Sequence, residues 1–393
     1  MAAPLVWSPA VTGRPFALDA EQERLVEEAR RVARDRLGQI AARGTPGRVN
    51  RPLVRALGES GLLPRLFPRR AGGTGDGEVS AMELCLLREG LAMGSTEAET
   101  ALALQGLGSY PILQSGSDAL VDRYVAPVAR GEIVAAFALT EPEHGSDAGA
   151  LELRAERDGE GFRLTGTKTW ISNAPDADVY TVFARTTEKA RSKGVTAFAV
   201  AGDAPGLSGE PIDLLAPHAI GRLDLDGVPV PAENVLGEVD GGFRVAMRTL
   251  DLFRPSVGAF AVGMARAALA ASLNHAATRE AFGSALREHQ TVAHLLAEMA
   301  TRTQAARLMV HEAASAYDAG SPDVTLRSAM AKLFATETAH WVVDAAVQIH
   351  GATGLQRGHL LEHLYRDVRA PRIYEGASEI QRQVIARELF RGS

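Results

Sequence analysis

One acidic residue, Glu375, stands between a basic, Pro-interrupted approach and an amphipathic helix in RDVRAPRIYEGASEIQRQVIAR, residues 366–387. Ile380, Val384, Ile385 and Leu389 share one face of that helix. Gly376 makes a bend easy directly after the acid, and Ser378 is a candidate local cap. The spacing therefore places Glu375 where a loop turns into a helix. A carboxylate there either complements the helix dipole at the surface or moves a proton on whatever binds against the loop.

Four further stretches carry groups suited to binding. In FALTEPEHGSD (Phe137–Asp147) a strand runs into a turn containing Thr140, Gly145 and Ser146. Its hydroxyls and backbone N–H groups suit a polar ring or a phosphate, or form an ordinary polar loop. In KTWISN, Trp170 offers a flat apolar face beside Ser172, for the core or for a cofactor ring. TREAFGSALREHQ (278–290) sets Arg279 and Phe282 near one helical face, with Gln290 about three turns on. Arg279 suits bidentate phosphate contact, or is a solvated helix charge. In QIHGATGL, beginning at Gln348, Gly351 and Gly354 allow close approach of backbone to an anion, although such glycines also end helices. His359 and His363, with His350 nearby, have metal-pair spacing, but no convergent cysteine or carboxylate cluster accompanies them, and no metal is expected. There is no P-loop, no G-x-G-x-x-G and no G-x-S-x-G.

The 393-residue chain is 46% apolar and 23% charged, ordinary values for a globular protein. Its length calls for two or three subdomains. A net charge of -6 argues against nucleic-acid binding through a broad basic surface. The one cysteine, Cys85, rules out an intrachain disulfide and suggests a reducing compartment. No apolar run approaches the roughly 20 residues that span a bilayer. MAAPLVWSPAVTGRPF lacks a secretory pattern, so the expectation is a bacterial cytoplasmic protein that binds no membrane.

The elements that must hold these residues fall into three blocks. Residues 1–17 read as an irregular arm. Residues 18–132 are mostly helical, starting after Asp19, which with Gln22 resembles a capping box. Helices are expected over Pro52–Ser60, Ser80–Met93, Ala98–Leu107 and Asp118–Ala129. Residues 133–238 carry short strand-like runs (IVAAFALT, LELRAER, FRLTGTKTWIS, VYTVFAR, GVTAFAV, RLDLDGVPVP), the pattern of an antiparallel barrel or sandwich. Residues 239–393 return to long helices that suit a four-helix bundle, the third starting at Ser321-Pro322. The fold class expected is α+β and multidomain.

Taken in order, FALTEPEHGSD, KTWISN, LDLFRPSVGA, TREAFG with Gln290, QIHGATGL and IYEGASEIQR resemble the acyl-CoA dehydrogenase family of flavoproteins from about residue 17 to 390. The resemblance implies an N-terminal helical domain, a middle β-domain and a C-terminal four-helix bundle, in homotetramers (dimers of dimers) that bind FAD between subunits. Glu375 matches the catalytic base. Phe137, Leu139, Thr140, Gly145 and Ser146 match positions around the flavin, and Trp170 and Ser172 match its other side. Arg279, Phe282 and Gln290 match the FAD-holding part of the bundle. Gln348, Gly351 and Ala352 match the neighbouring subunit's contribution, and Ala377 and Glu379 match flanking FAD contacts. Ser146, Asp251, Arg254 and Gly376 match the acyl-CoA side. Three departures stand out: Ala377, Ala281 and Ala352 occupy positions of Thr, Thr and Gly in relatives. Branches that carry the base before the Arg of LDLER have Phe253 there in this chain, which leaves Glu375 as the matching candidate.

The implied reaction is removal of an α-proton by Glu375 and hydride transfer from the β-carbon to flavin N5, giving a trans-2-enoyl-CoA. Electron-transfer flavoprotein is the implied acceptor. Alternatives within the resemblance are a flavin monooxygenase, an acyl-CoA oxidase or a DNA-binding alkylation-response protein. The Glu97–Tyr110 region is the candidate acyl pocket, and chain length and branching stay open.

Overall fold

A computed structural model describes residues 18–188, 191–216 and 218–390, so the arm expected over residues 1–17 lies outside the described residues. The first helix, α1 (Ala20–Val32), starts as its sequence suggests. Asp19 accepts from the amides of Glu21 and Gln22, and Gln22 reaches back to the Asp19 amide, closing the capping box. A short α2 (Gly38–Ala41) ends before GTPG, and α3 (Arg51–Glu59) is capped by Asn50. Ser80 caps α4 (Ala81–Gly94), and Ser95 caps α5 (Thr96–Ser115). α5 outruns its expected end because Pro111 is carried inside it. Burial of Tyr110, Ile112 and Leu113 offsets the hydrogen bond that the proline removes. Two short helices, α6 (Asp118–Leu120) and α7 (Ala126–Ala129), complete the first third.

The middle of the chain forms one eight-stranded sheet from β1 (Ala135–Ala138), β2 (Arg154–Asp158), β3 (Gly161–Ser172), β4 (Val179–Arg185), β5 (Val195–Ala201), β6 (Leu207–Pro211), β7 (Ile220–Val230) and β8 (Val235–Leu236). The order is β6-β7-β3-β2-β4-β5-β8, with β1 beside β4. The ladder is antiparallel except for β1 along β4 and a single β2–β4 pair, Arg154 with Arg185. β6 and β8 have no counterpart in the sequence reading. The first is mostly exposed and the second has two residues, so neither shows apolar alternation.

The last third is built on α8 (Gly242–Thr278), a 37-residue helix continuous through Pro255 and buried along most of its length. It packs on α4 of the first third. Gly263 permits that crossing, because a Cβ there would sit 2.6 Å from the Glu89 carbonyl oxygen. α9 (Gln290–Asp318) and α10 (Val324–His350) pack with α8, and α12 (Ser378–Leu389) packs on α10, as a helical bundle, while α11 (Leu360–Asp367) precedes the Glu375 loop. Three expectations are corrected. Pro322 lies ahead of α10, outside its first turn. Ser378 is not a cap: Ala377 takes the N-cap position, and the Ser378 hydroxyl donates to Glu337 instead. Arg279, Phe282 and Gln290 do not share a helical face. α8 stops at Thr278, and a hairpin of β9 (Glu280–Ala281) and β10 (Ser284–Ala285) intervenes. Gly283 supplies the left-handed residue that this hairpin's turn needs.

Candidate active site

Glu375 sits in the loop between Ala370–Arg372 and α12, with φ 51°, and Gly376 follows with φ 91°. Two consecutive left-handed residues turn the backbone sharply, and the first is not glycine, which is uncommon. Buried donors hold the turn. Lys332, in the middle of α10 and fully buried, donates to the Gly376 carbonyl at 2.7 Å. Gln381 donates to the carbonyls of Glu375 (3.1 Å) and Gly376 (3.0 Å). The Glu375 amide donates to no group among the described residues.

The Glu375 carboxylate points inward. Its Oε2 is buried with no hydrogen-bond partner among the described residues. Burial raises its pKa, and Arg88, Lys332 and Arg254 pull against that rise. Each cation is itself buried and comes from a different helix: α4, α10 and α8. Burial lowers the Lys332 ammonium to about 8, with Glu375 as the first opposing charge. Arg254 donates to Asp251 at 2.9 Å, and Asp251 also accepts from Thr325 at 3.3 Å. Arg88 pairs with Glu99 of α5 and donates to the Ser256 hydroxyl at 2.6 Å.

A second group lies on the β-domain. Trp170 sits at a register shift between β3 and β7, with φ 56° and 54% of its surface exposed. A bulge that re-aims a side chain explains how a strand tryptophan leaves the core. The loop after β1 is tied to the same place, since the Thr169 amide donates to the Thr140 carbonyl at 3.0 Å. Beneath them, Lys168 is fully buried and donates to Leu139 O (2.9 Å) and Glu141 Oε1 (2.8 Å). Glu141 in turn accepts from the amides of Glu152 and Leu153. Ser172 meets His218 at 2.9 Å, and burial lowers His218 to about 4, so the imidazole is neutral at pH 7. Ser146 and Gly145 are exposed, Leu139 is buried, and Phe137 is half-buried against Phe183 with ring centroids 4.9 Å apart.

A third group lies at the far end of the bundle. Arg279 is exposed, and its guanidinium pairs with no group among the described residues. Phe282 is fully exposed with φ 53°. The end of α10 joins this group, since His275 and His350 stack with centroids 4.2 Å apart. Gln348, Gly351 and Ala352 are exposed beside that stack, as is Gln290 at the start of α9. Trp170, Phe282 and Glu375 are three of the six non-glycine residues with positive φ among the described residues. Such backbone persists where its surroundings over-determine it, commonly at functional sites.

The structure thus gathers Glu375, Gly376, Asp251 and Arg254, and separately the Thr140–Trp170–Ser172 surface. Arg279 stands roughly 35 Å from Arg254 along the same helix, at about 1.5 Å per residue. Glu379 is exposed, and Ala377 has no side-chain bond to offer. Sequence reading named none of Arg88, Glu99, Lys168, Glu141 and Lys332 individually, although Glu141, Lys168 and Glu99 lie in stretches it singled out. Their signal is a charge inside an apolar helical or strand run, as in MELCLLREGLAMG and SAMAKLFA.

The sequence matches three family models: the N-terminal domain of acyl-CoA dehydrogenases over residues 19–132, the middle domain over 136–228 and the C-terminal domain over 240–390. The chain belongs to the acyl-CoA dehydrogenase family. Cyclohexane-1-carbonyl-CoA dehydrogenase of Geobacter metallireducens is 37% identical over 95% of this chain and 98% of its own. The short-chain specific mitochondrial acyl-CoA dehydrogenase of Rattus norvegicus is 37% identical over 86% of this chain and 82% of its own. The structure of butyryl-CoA dehydrogenase from Megasphaera elsdenii superposes with a TM-score of 0.90 at 32% identity, covering 96% of this chain and all of that one. The family's enzymes are oxidoreductases acting on CH–CH donors, and they use FAD. The residues present fit that cofactor. Trp170 offers an exposed aromatic face beside the Thr140 and Ser172 hydroxyls, and Arg279 is an unpaired cation suited to a pyrophosphate.

Proposed function

We propose that this family member dehydrogenates an acyl-CoA thioester between its α- and β-carbons, giving a trans-2-enoyl-CoA, with Glu375 as the α-proton-abstracting base. The observation that carries the reading is the Glu375 carboxylate. The residue is half-buried, its Oε2 is sealed from solvent without a partner, and its backbone is pinned by Lys332 and Gln381. A carboxylate relieved of hydration binds a proton more readily than one in water. Arg88, Lys332 and Arg254 oppose the rise that burial imposes on it. The free Glu375 amide is available to the thioester oxygen, where negative charge develops as the α-proton leaves. Arg254 and Asp251 line the CoA side, with Gly376 against the thioester and Ser146 at the loop that covers it. Bound FAD would supply the hydride acceptor and the redox chemistry. Phe137, Leu139, Thr140, Gly145, Ser146, Trp170 and Ser172 hold its ring, with Ala377 and Glu379 flanking.

The bundle-end residues Arg279, Phe282, Gln290, Gln348, Gly351 and Ala352 serve the FAD of a second copy. Their separation from Glu375 along α8 supports a homo-oligomer, a dimer of dimers in this reading. The exposed Phe282 and Leu355, 100% and 66% accessible, support the same assembly. The domain division at 18–132, 133–238 and 239–393, a cytoplasmic location and electron-transfer flavoprotein as acceptor complete the proposal. Anaerobic titration of the holoprotein with a panel of acyl-CoAs tests it. Bleaching of the flavin, followed by faster reoxidation with electron-transfer flavoprotein than with oxygen, is the expected result. Faster reoxidation by oxygen favours an oxidase, and no bleaching by any thioester rejects dehydrogenation.

A further inference from the structure

β3 buries Phe162 and Leu164 in the β-domain core, and further along the strand the side chain that goes inside is Lys168. A buried ion pair is a weak stabiliser, and apolar replacements of similar size are often as stable. What Lys168 contributes is therefore sought in the backbone that its bonds fix. Its ammonium donates to Leu139 O at 2.9 Å and to Glu141 Oε1 at 2.8 Å. The same carboxylate accepts from the Leu153 amide on Oε1 at 2.9 Å and from the Glu152 amide on Oε2 at 2.6 Å. One buried side chain thus closes the loop from Glu141 to Leu153 at its neck. Arg185 holds the returning limb, donating to Leu151 O at 2.8 Å and Gly149 O at 3.1 Å. The tip of the loop, with Gly145, Ser146 and Asp147, is exposed, so its position depends on the neck.

The other side of the clasp is the strand that carries Trp170. Lys168 lies opposite Leu223 of β7, and Ile171 lies opposite Gly221, so the register slips between them. Trp170 leaves the sheet inside that slip, with φ 56°. Lys168 is therefore the last regularly paired residue before the bulge that turns the tryptophan outward. Next to it the Thr169 amide donates to Thr140 O at 3.0 Å, and beyond it Asn173 Nδ2 donates to Ala135 O at 2.8 Å. The aromatic face and the loop bearing Thr140, Gly145 and Ser146 are thus joined through one buried pair.

We infer that Lys168 and Glu141 are positioning residues whose buried pair clasps the neck of the Glu141–Leu153 loop and holds the flavin-ring seat between that loop and Trp170 in shape. The inference rests on the reading of Thr140, Trp170 and Ser172 as that seat. Both residues act through the loop backbone and the bulge, and neither is assigned a contact with the cofactor. Without the clasp the loop samples positions that do not fit the ring. A seat formed a tenth of the time weakens apparent affinity about tenfold.

The test compares the FAD-loaded wild type with Lys168→Met/Glu141→Leu, Glu141→Gln and Trp170→Ala. Flavin release on dilution, read by the fluorescence of free FAD, gives the affinity. Hydrogen exchange of the 139–153 segment and thermal unfolding are read on the same proteins. The double variant removes both charges, and the freed backbone groups of Leu139, Glu152 and Leu153 can turn to water as the loop opens, so local opening without loss of the fold is expected. Glu141→Gln keeps the acceptor that Lys168 and Leu153 share and removes the one that Glu152 uses, a milder change that decides the matter if the double variant does not fold. FAD affinity should fall about tenfold or more in the double variant and less in Glu141→Gln. Exchange should accelerate in the 139–153 segment but not in α8 or α10, with little change in unfolding temperature. Unchanged FAD affinity overturns the inference. So does an affinity loss accompanied by faster exchange along the whole chain, which makes the pair a strut of the core. Trp170→Ala that holds FAD as tightly as the wild type rejects the ring-seat reading itself, and the inference with it.

Discussion

Glu375 occupies backbone space that side chains with a Cβ avoid, and the two donors on its carbonyl side hold it there. Its protonation sets the pH dependence expected of the enzyme. A proton-abstracting Glu375 must be ionised, and burial raises its pKa above 4.5, so the proposed reaction's kcat/KM should climb with pH through a midpoint above that value. Arg88, Lys332 and Arg254 pull the midpoint down. Lys332→Met removes one cation and the bond to Gly376. The acid limb should then move to higher pH and kcat should fall about tenfold, measured as a full pH profile of flavin reduction. A fall in kcat with no movement of the limb would assign Lys332 to packing alone. Gly376→Ala meets a φ of 91° and the Gln381 side chain, and should lower stability by about 1–2 kcal/mol, read by thermal unfolding.

At the scale of elements, α4 is the organising helix. Arg88 faces the site, while its neighbour Glu89 accepts from Arg307, His311 and Arg266, joining α4 to α8 and α9. Burial alone would raise Glu89, but these partners outweigh it and bring its carboxyl down to about 2. A depressed carboxylate contributes stability that is present above its ordinary pKa near 4.5 and is lost as pH falls toward 2. Glu89→Ala leaves Arg266, Arg307 and His311 without the carboxylate they share. It should cost about 3–5 kcal/mol and flatten the acid limb of the stability curve between pH 4.5 and 2, measured by urea unfolding across that range. Most helices were legible because caps such as Asp19 and Ser80 precede apolar periods. The end of α5 was not, because local proline chemistry yields there to the burial of Tyr110 and Leu113. The helical reading of Arg279–Gln290 failed for the opposite reason: Gly283 and the exposed Phe282 make a turn whose pattern resembles a helix surface.

For the whole molecule, α8 carries Arg254 toward Glu375 and Arg279 to the opposite end, and in the proposed assembly one chain supplies parts of two sites. Arg279→Ala should weaken FAD retention about tenfold or more while leaving the surroundings of Glu375 intact, checked by flavin release on dilution. Light scattering should report an oligomer that dissociates as flavin is lost. Glu375, Trp170 and Arg279 were readable as candidates because each sits in a short motif with turn residues beside it. The buried charges that tune and orient them were not, since Lys168, Lys332 and Arg88 look like interruptions of apolar runs until the partners Glu141, Gly376 and Glu99 are brought to them.

The most direct measurement is anaerobic stopped-flow reduction of FAD-loaded Glu375→Gln by the best acyl-CoA substrate, beside the wild type. Gln keeps the size of the side chain and removes the base. The account predicts that the variant binds FAD and thioester and keeps its thermal stability, while flavin bleaching slows about 100-fold to 10,000-fold. Bleaching at the wild-type rate would contradict it and place the base elsewhere.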